Sequence, residues 1–168
     1  SNDISWQDMS NLLPICGDYN GDGITELALW NSVTEEWISL NPSNLESSEN
    51  ISPILYQRYI FPKTTNQSTN LSQKNEWIPV PADYDGDRKT DIAVWNSMTG
   101  EWYCLKSSDN NQSYLYKTWG KGGIEQWLPV PADYDGDAKA DISVWNKITG
   151  EWYCLKSSDN NQSYLYKT

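Results

Sequence analysis

Apolar residues in this chain come in short runs with a period of two, and the runs return at a fixed interval. Residues 92–95 read Ile-Ala-Val-Trp and residues 102–105 read Trp-Tyr-Cys-Leu. In an extended chain Ile92 and Val94 share one side, and Ala93 and Trp95 the other. Trp102 and Cys104 likewise oppose Tyr103 and Leu105. Both sides are apolar. A sheet with one wet face alternates apolar with polar, so these strands are predicted to lie between other layers. The predicted strands here are Trp77–Ala82, Asp91–Asn96, Glu101–Lys106 and Ser113–Thr118. They are rich in Val, Ile, Trp and Tyr, which suit a pleated surface. The breaks are an acidic loop, Ser97-Met98-Thr99-Gly100, and the stretch Ser107 to Asn111. Gly100 suits a left-handed turn position. No long helical period appears.

The same pattern recurs fifty residues on. Gly100 to Thr118 and Gly150 to Thr168 are identical, and PVPADYDGD occurs at Pro79 and again at Pro129. A diverged copy precedes both, with Asp18-Tyr19-Asn20-Gly21-Asp22, Leu27-Ala28-Leu29-Trp30 and Glu36-Trp37. The extra residues between the first two copies fall in Asn41 to Ser52 and Pro62 to Asn75, with the Ser, Asn, Thr and Pro of surface loops. Residues 1–168 are read as one repeat domain, with repeat one over about 4–60, repeat two about 76–118 and repeat three about 119–168. Four-stranded units of about 40–50 residues, stacked face to face, describe propeller blades. The predicted class is all-β, with three four-stranded propeller-type blades. Three four-stranded repeats in this length also fit a β-trefoil.

The acidic loops carry the chemistry. Asp83, Asp85, Asp87 and Asp91 stand at loop positions 1, 3, 5 and 9 of repeat two, and Asp133, Asp135, Asp137 and Asp141 at the same positions of repeat three. Repeat one offers Asp18, Asn20, Asp22 and Glu26. Unneutralised, such charges repel strongly at this spacing. A hard cation taking six to eight oxygens at about 2.3–2.6 Å relieves this. Backbone carbonyls at position 7, from Ile24, Lys89 and Lys139, are further candidate ligands. Up to three calcium ions are expected. Asp and Gly also favour plain solvated turns, but three loops in register, each before a strand, favour a cation. Magnesium seldom uses an all-protein cage, and without histidine zinc would need an odd ligand set.

Composition narrows the partners. The net charge is −11, and eleven of the 23 acidic residues lie in the three loops. Three divalent ions would bring the net charge to −5. Nucleic acid and anionic membrane would repel this surface. No apolar run approaches the roughly 20 residues of a membrane-spanning helix. Aromatics make up 13% of residues, against disorder. Cys16, Cys104 and Cys154 are an odd set, and all three are read as buried free thiols.

At the acidic loops the sequence resembles the FG-GAP and VCBS repeat families, in DYDGDRKTDIAVW and DYDGDAKADISVW. Those families form β-propellers, including the integrin α-subunit head and certain fungal and bacterial lectins. The resemblance implies calcium as a structural ion and an extracellular or cell-surface setting. The family usually has Gly at loop position 6. Repeat one keeps it as Gly23, whereas repeats two and three have Arg88 and Ala138. Resembling propellers have six to eight blades, so two chains could close a six-bladed ring as a homo-oligomer, or the chain is part of a longer array.

The expected function is a non-catalytic module for adhesion or protein recognition. A calcium-stabilised lectin is the alternative, its glycan stacking on exposed aromatics. Trp30, Trp37, Trp95, Trp102, Trp145 and Trp152 are read as core. Trp77, Trp119 and Trp127, nearer the junctions, are better ligand candidates. No nucleophile–base pair, phosphate loop or nucleotide fingerprint appears, so no enzyme is expected. Asn-x-Ser sequons stand at Asn50, Asn66, Asn70, Asn111 and Asn161.

Overall fold

The computed structural model describes residues 10–39, 77–120 and 126–168. The inserted loops and three sequons, Asn50, Asn66 and Asn70, lie outside these residues. The fold is all-β, and the described residues form three antiparallel sheets. The first holds β1 (Leu12–Pro14), β2 (Ala28–Asn31) and β3 (Glu36–Ser39). The second holds β4 (Trp77–Pro79), β5 (Ile92–Asn96), β6 (Glu101–Leu105) and β7 (Tyr114–Thr118). The third holds β8 (Trp127–Pro129), β9 (Ile142–Asn146), β10 (Trp152–Leu155) and β11 (Tyr164–Lys167). In each sheet neighbouring strands follow chain order, which makes three separate meanders compatible with propeller-type blades. The chain divides into two compact units, one around β1–β3 and one around β4–β11.

The first strand of repeat two, predicted over Trp77–Ala82, is shorter than predicted. Pro81 has no N–H to give to the ladder. Beyond Pro79 the pairing continues only as Val80 N–H to the Ala93 carbonyl (2.8 Å) and, past Pro81, as an isolated bridge between Ala82 and Asp91. The turn into β6 closes on Asn96, whose Oδ1 accepts the N–H groups of Met98 (3.0 Å) and Thr99 (3.1 Å). Asn31 and Asn146 do the same in the other repeats. Gly100 has a φ of 74°, the left-handed position predicted for it.

Strand register puts Ala93, Trp95, Trp102, Cys104 and Leu115 on one face of the second sheet. Ile92, Val94, Tyr103, Leu105, Tyr114 and Tyr116 lie on the other. The third sheet repeats this fifty residues on. The core of this unit forms where the first face of the second sheet meets the second face of the third: Trp95, Trp102 and Cys104 cluster with Ile142, Val144 and Leu155. Two-sided apolar strands thus find a layer to cover them, as the pattern required. Trp119, between the sheets, staples them. Its carbonyl accepts the indole N–H groups of Trp95 (3.2 Å) and Trp102 (3.0 Å), and its own indole donates to the Tyr153 carbonyl (3.3 Å). Its ring meets Tyr153 and Tyr164.

Cys104 and Cys154 are buried free thiols, but Cys16 is exposed. Ile15 turns inward in the extended segment after β1, and alternation turns the next residue out. Of the tryptophans read as core, Trp30, Trp37, Trp95 and Trp102 are buried, while Trp145 and Trp152 are half-buried. Trp77 is also buried.

Candidate metal sites

Each acidic loop is a hairpin turn whose first carboxylate folds back over its own backbone. Asp83 accepts the N–H of Gly86 through Oδ1 (2.6 Å) and of Arg88 through Oδ2 (2.7 Å). Asp133 accepts Gly136 (2.6 Å) and Ala138 (2.9 Å) in the same way. In repeat one Asp18 accepts Gly23 (2.9 Å). The Gly136 N–H leads the interactions that hold the Asp133 carboxyl below its usual range.

This turn needs a left-handed residue at position 6. Arg88 (φ 72°) and Ala138 (φ 69°) adopt the conformation that Gly23 (φ 85°) takes freely. A left-handed side chain costs roughly 1–2 kcal/mol, and glycine returns about 0.4–1 kcal/mol of that through the unfolded chain. Ala138→Gly is therefore expected to stabilise the protein by up to about 1 kcal/mol. Urea unfolding should show a higher midpoint, and a lower one would mean the turn carries no strain.

The hairpin brings positions 1, 3 and 9 together in two repeats. One oxygen each from Asp83, Asp85 and Asp91 lie within 4.8 Å of one another, and so do Asp133, Asp135 and Asp141. In repeat one the group is Asp18, Asp22 and Glu26. Two ligands on one calcium stand no more than about 5 Å apart, given bond lengths of about 2.3–2.6 Å. The spacing fits. Asp135 Oδ1 is buried and has no hydrogen-bond partner, an expensive state for a carboxylate oxygen that a cation would relieve.

Asp87 and Asp137 lie outside these groups of three. Asp87 Oδ1 accepts the N–H of Lys89 and the hydroxyl of Ser107 (both 2.9 Å). Asp137 Oδ1 accepts Lys139 (2.9 Å) and Ser157 (2.8 Å). Asn20 Oδ1 accepts the N–H of Asp22 (2.7 Å). Ile24 is exposed.

Position 9 is buried in both later repeats. Asp91 accepts Tyr84 N–H (2.8 Å) and Asp85 N–H (3.2 Å) through Oδ2, and Ser107 N–H (2.8 Å) through Oδ1. Burial still pushes its carboxyl up to about 6, with the hydrogen bonds from Ser107 and Tyr84 offsetting part of that rise.

A serine pair from the loop after β6 in repeat two, and after β10 in repeat three, adds to those two sites, and the sequence reading missed it. Ser108 donates its hydroxyl to Asp85 Oδ2 at 2.7 Å, and Ser158 to Asp135 Oδ2 at 2.6 Å. The serines open a short 3-10 turn, Ser107–Asp109 or Ser157–Asp159. Asn110 and Asn111 follow it with φ of 60° and 63°, a conformation asparagine tolerates. The identical SSDNNQS stretches were a visible signal, read only as a break.

A match to known repeats runs through two of the three sites. Residues 83–144 match the FG-GAP-like repeat. The matched span contains the acidic loops of repeats two and three and ends in β9, so the FG-GAP-like segment includes the junction between two sheets. No curated protein and no solved structure matches the chain.

Proposed function

We propose that the chain is a calcium-stabilised repeat module of an extracellular protein, non-catalytic, that serves adhesion or protein recognition. The observation that carries the calcium reading is the buried, unpartnered Asp135 Oδ1 inside a group of three carboxylates at the spacing of one coordination sphere. Asp133, Asp135 and Asp141 would hold one ion, Asp83, Asp85 and Asp91 a second, and Asp18, Asp22 and Glu26 a third. The ion would neutralise the loop and tie the hairpin to the strand that follows it. Thermal unfolding in calcium and in chelator tests this reading: a calcium-dependent gain not matched by magnesium supports it, and superposed curves reject it.

A repeated exposed aromatic ledge favours glycan as the ligand in a second reading. Tyr116 and Tyr166 lie tilted against Tyr103 and Tyr153, with ring centroids 4.8 and 4.9 Å apart. Their hydroxyls donate to Glu101 (3.0 Å) and Glu151 (2.8 Å). An open ring beside a carboxylate suits a sugar face and its hydroxyls. Repeated sites would bind a multivalent glycan with avidity. A glycan that raises the melting temperature, with the gain lost in Tyr166→Ala, would establish this ledge. Binding on a glycan array unaffected by Tyr166→Ala would exclude it.

A further inference from the structure

We propose that the calcium sites of repeats two and three are coupled, each binding more tightly when the other is filled, through two peptide groups that join them. The coupling rests on the calcium reading of these loops and adds to it a path and a sign. Between Ala138 and Asp141 the backbone N–H groups stay within repeat three, with one exception. Ala138 donates to Asp133 Oδ2, Lys139 to Asp137 Oδ1 and Asp141 to the Ala132 carbonyl, each at 2.9 Å. Ala140 donates instead to the Asp83 carbonyl of repeat two, at 2.6 Å.

That hydrogen bond is the middle of a continuous path. The Ala140 N–H shares a peptide group with the Lys139 carbonyl, the position-7 ligand candidate of repeat three. A trans peptide points its carbonyl and its N–H in opposite directions. The Asp83 carbonyl in turn shares a peptide group with the Tyr84 N–H, which donates to Asp91 Oδ2 at 2.8 Å. Asp91 is the buried member of the carboxylate group of repeat two. Two peptide groups and two hydrogen bonds thus lead from one site to the other. The contact is packed as well as bonded. Ala140 and Tyr84 are both buried in the shared core. The Lys139 stem lies across Gly86, where an added Cβ would stand 2.9 Å from Lys139 Cε and 3.1 Å from Cγ. With an ion on its carbonyl, the Lys139–Ala140 peptide becomes a stronger donor, and hydrogen bonds in a chain strengthen one another. The Asp83 backbone is then held more firmly, and the second ion has less of the loop left to order. Repulsion between two divalent ions acts in the opposite direction, so the sign of the coupling separates this path from bare charge.

Calorimetric titration with calcium at about 10 °C, near the usual maximum of stability, tests this. Asp22→Asn is carried in every protein to silence repeat one. Adding Asp135→Asn leaves the site of repeat two alone, and adding Asp85→Asn leaves that of repeat three. The product of the two association constants in the parent should exceed the product of the two single-site constants by about fivefold or more. Because coupling is reciprocal, the same factor measures the gain at either site. Should one variant fold poorly, the other suffices, since the parent isotherm then supplies the remaining single-site constant. Equal products, or a smaller one in the parent, overturn the coupling and leave the calcium reading standing. A parent that takes up no calcium overturns both.

Discussion

Saturating calcium is expected to raise the melting temperature of the chelated protein by roughly 10–20 °C. Each site filled at about a hundred times its Kd contributes about 2.7 kcal/mol, so the two loops of the β4–β11 unit supply about 5 kcal/mol. For a chain of this size about 1 kcal/mol moves the midpoint by about 2–4 °C. The physical source is local. Asp91 is fully buried with only neutral donors around its charge, and Asp135 Oδ1 has no donor at all. A cation is the partner these oxygens lack. Magnesium, which keeps much of its water, should give less than half the effect. Asp135→Asn separates metal from architecture. In calcium it should lose about half of the gain. In chelator it should be neutral or slightly stabilising, because an amide still accepts the Ser158 hydroxyl while one repelling charge is gone. A variant equally destabilised in both conditions would show that Asp135 serves the loop alone.

Much of this site could be read from the residues, and the part that could not has a common cause. The hairpin geometry of positions 1, 3 and 9 is local, so alternate carboxylates in a tight turn announce their convergence. The two apolar faces of β5 and β6 likewise announced a layered sheet, and the packing of Trp95 and Trp102 against Ile142 and Val144 of the next sheet bears that out. The contacts that escaped notice cross long stretches of chain. Ser108 reaches Asp85 over 23 residues, and Trp119 reaches Trp95 over 24. No periodicity encodes such a meeting. Trp119 was placed near a junction, but its carbonyl does as much as its ring, and a backbone acceptor leaves no compositional trace. Proline mattered in a place where propensity was silent: β4 ends at Pro79, and Pro81, with no N–H, leaves only an isolated bridge beyond it in an otherwise good strand pattern. Cys16 shows the opposite error, where an apolar residue type was taken for a buried one.

The junction that Trp119 closes also sets the second large effect. Gly120→Ala is expected to destabilise the protein by about 2–4 kcal/mol. Gly120 sits at a φ of +73°, and a Cβ there would stand 2.5 Å from Val144 Cγ1 and 3.0 Å from Cγ2. Val144 is buried in the shared core and cannot swing aside. The left-handed backbone costs a side chain roughly 1–2 kcal/mol. Forcing a methyl into a filled core costs about 1–3 kcal/mol more, while the stiffer unfolded chain returns about 0.4–1 kcal/mol. Gly150→Ala supplies the internal comparison. Its φ is +76°, yet nothing lies within 4 Å of its added Cβ. That variant should lose only about 1 kcal/mol, all of it backbone strain. Urea unfolding of the two variants side by side therefore isolates the steric part. A clear excess for Gly120→Ala means the connector is pressed onto the third sheet and fixes where the Trp119 carbonyl meets the two indoles. Equal losses would mean that the approach to Val144 relaxes freely, and that the sheets are joined by their apolar faces rather than by the strand between them.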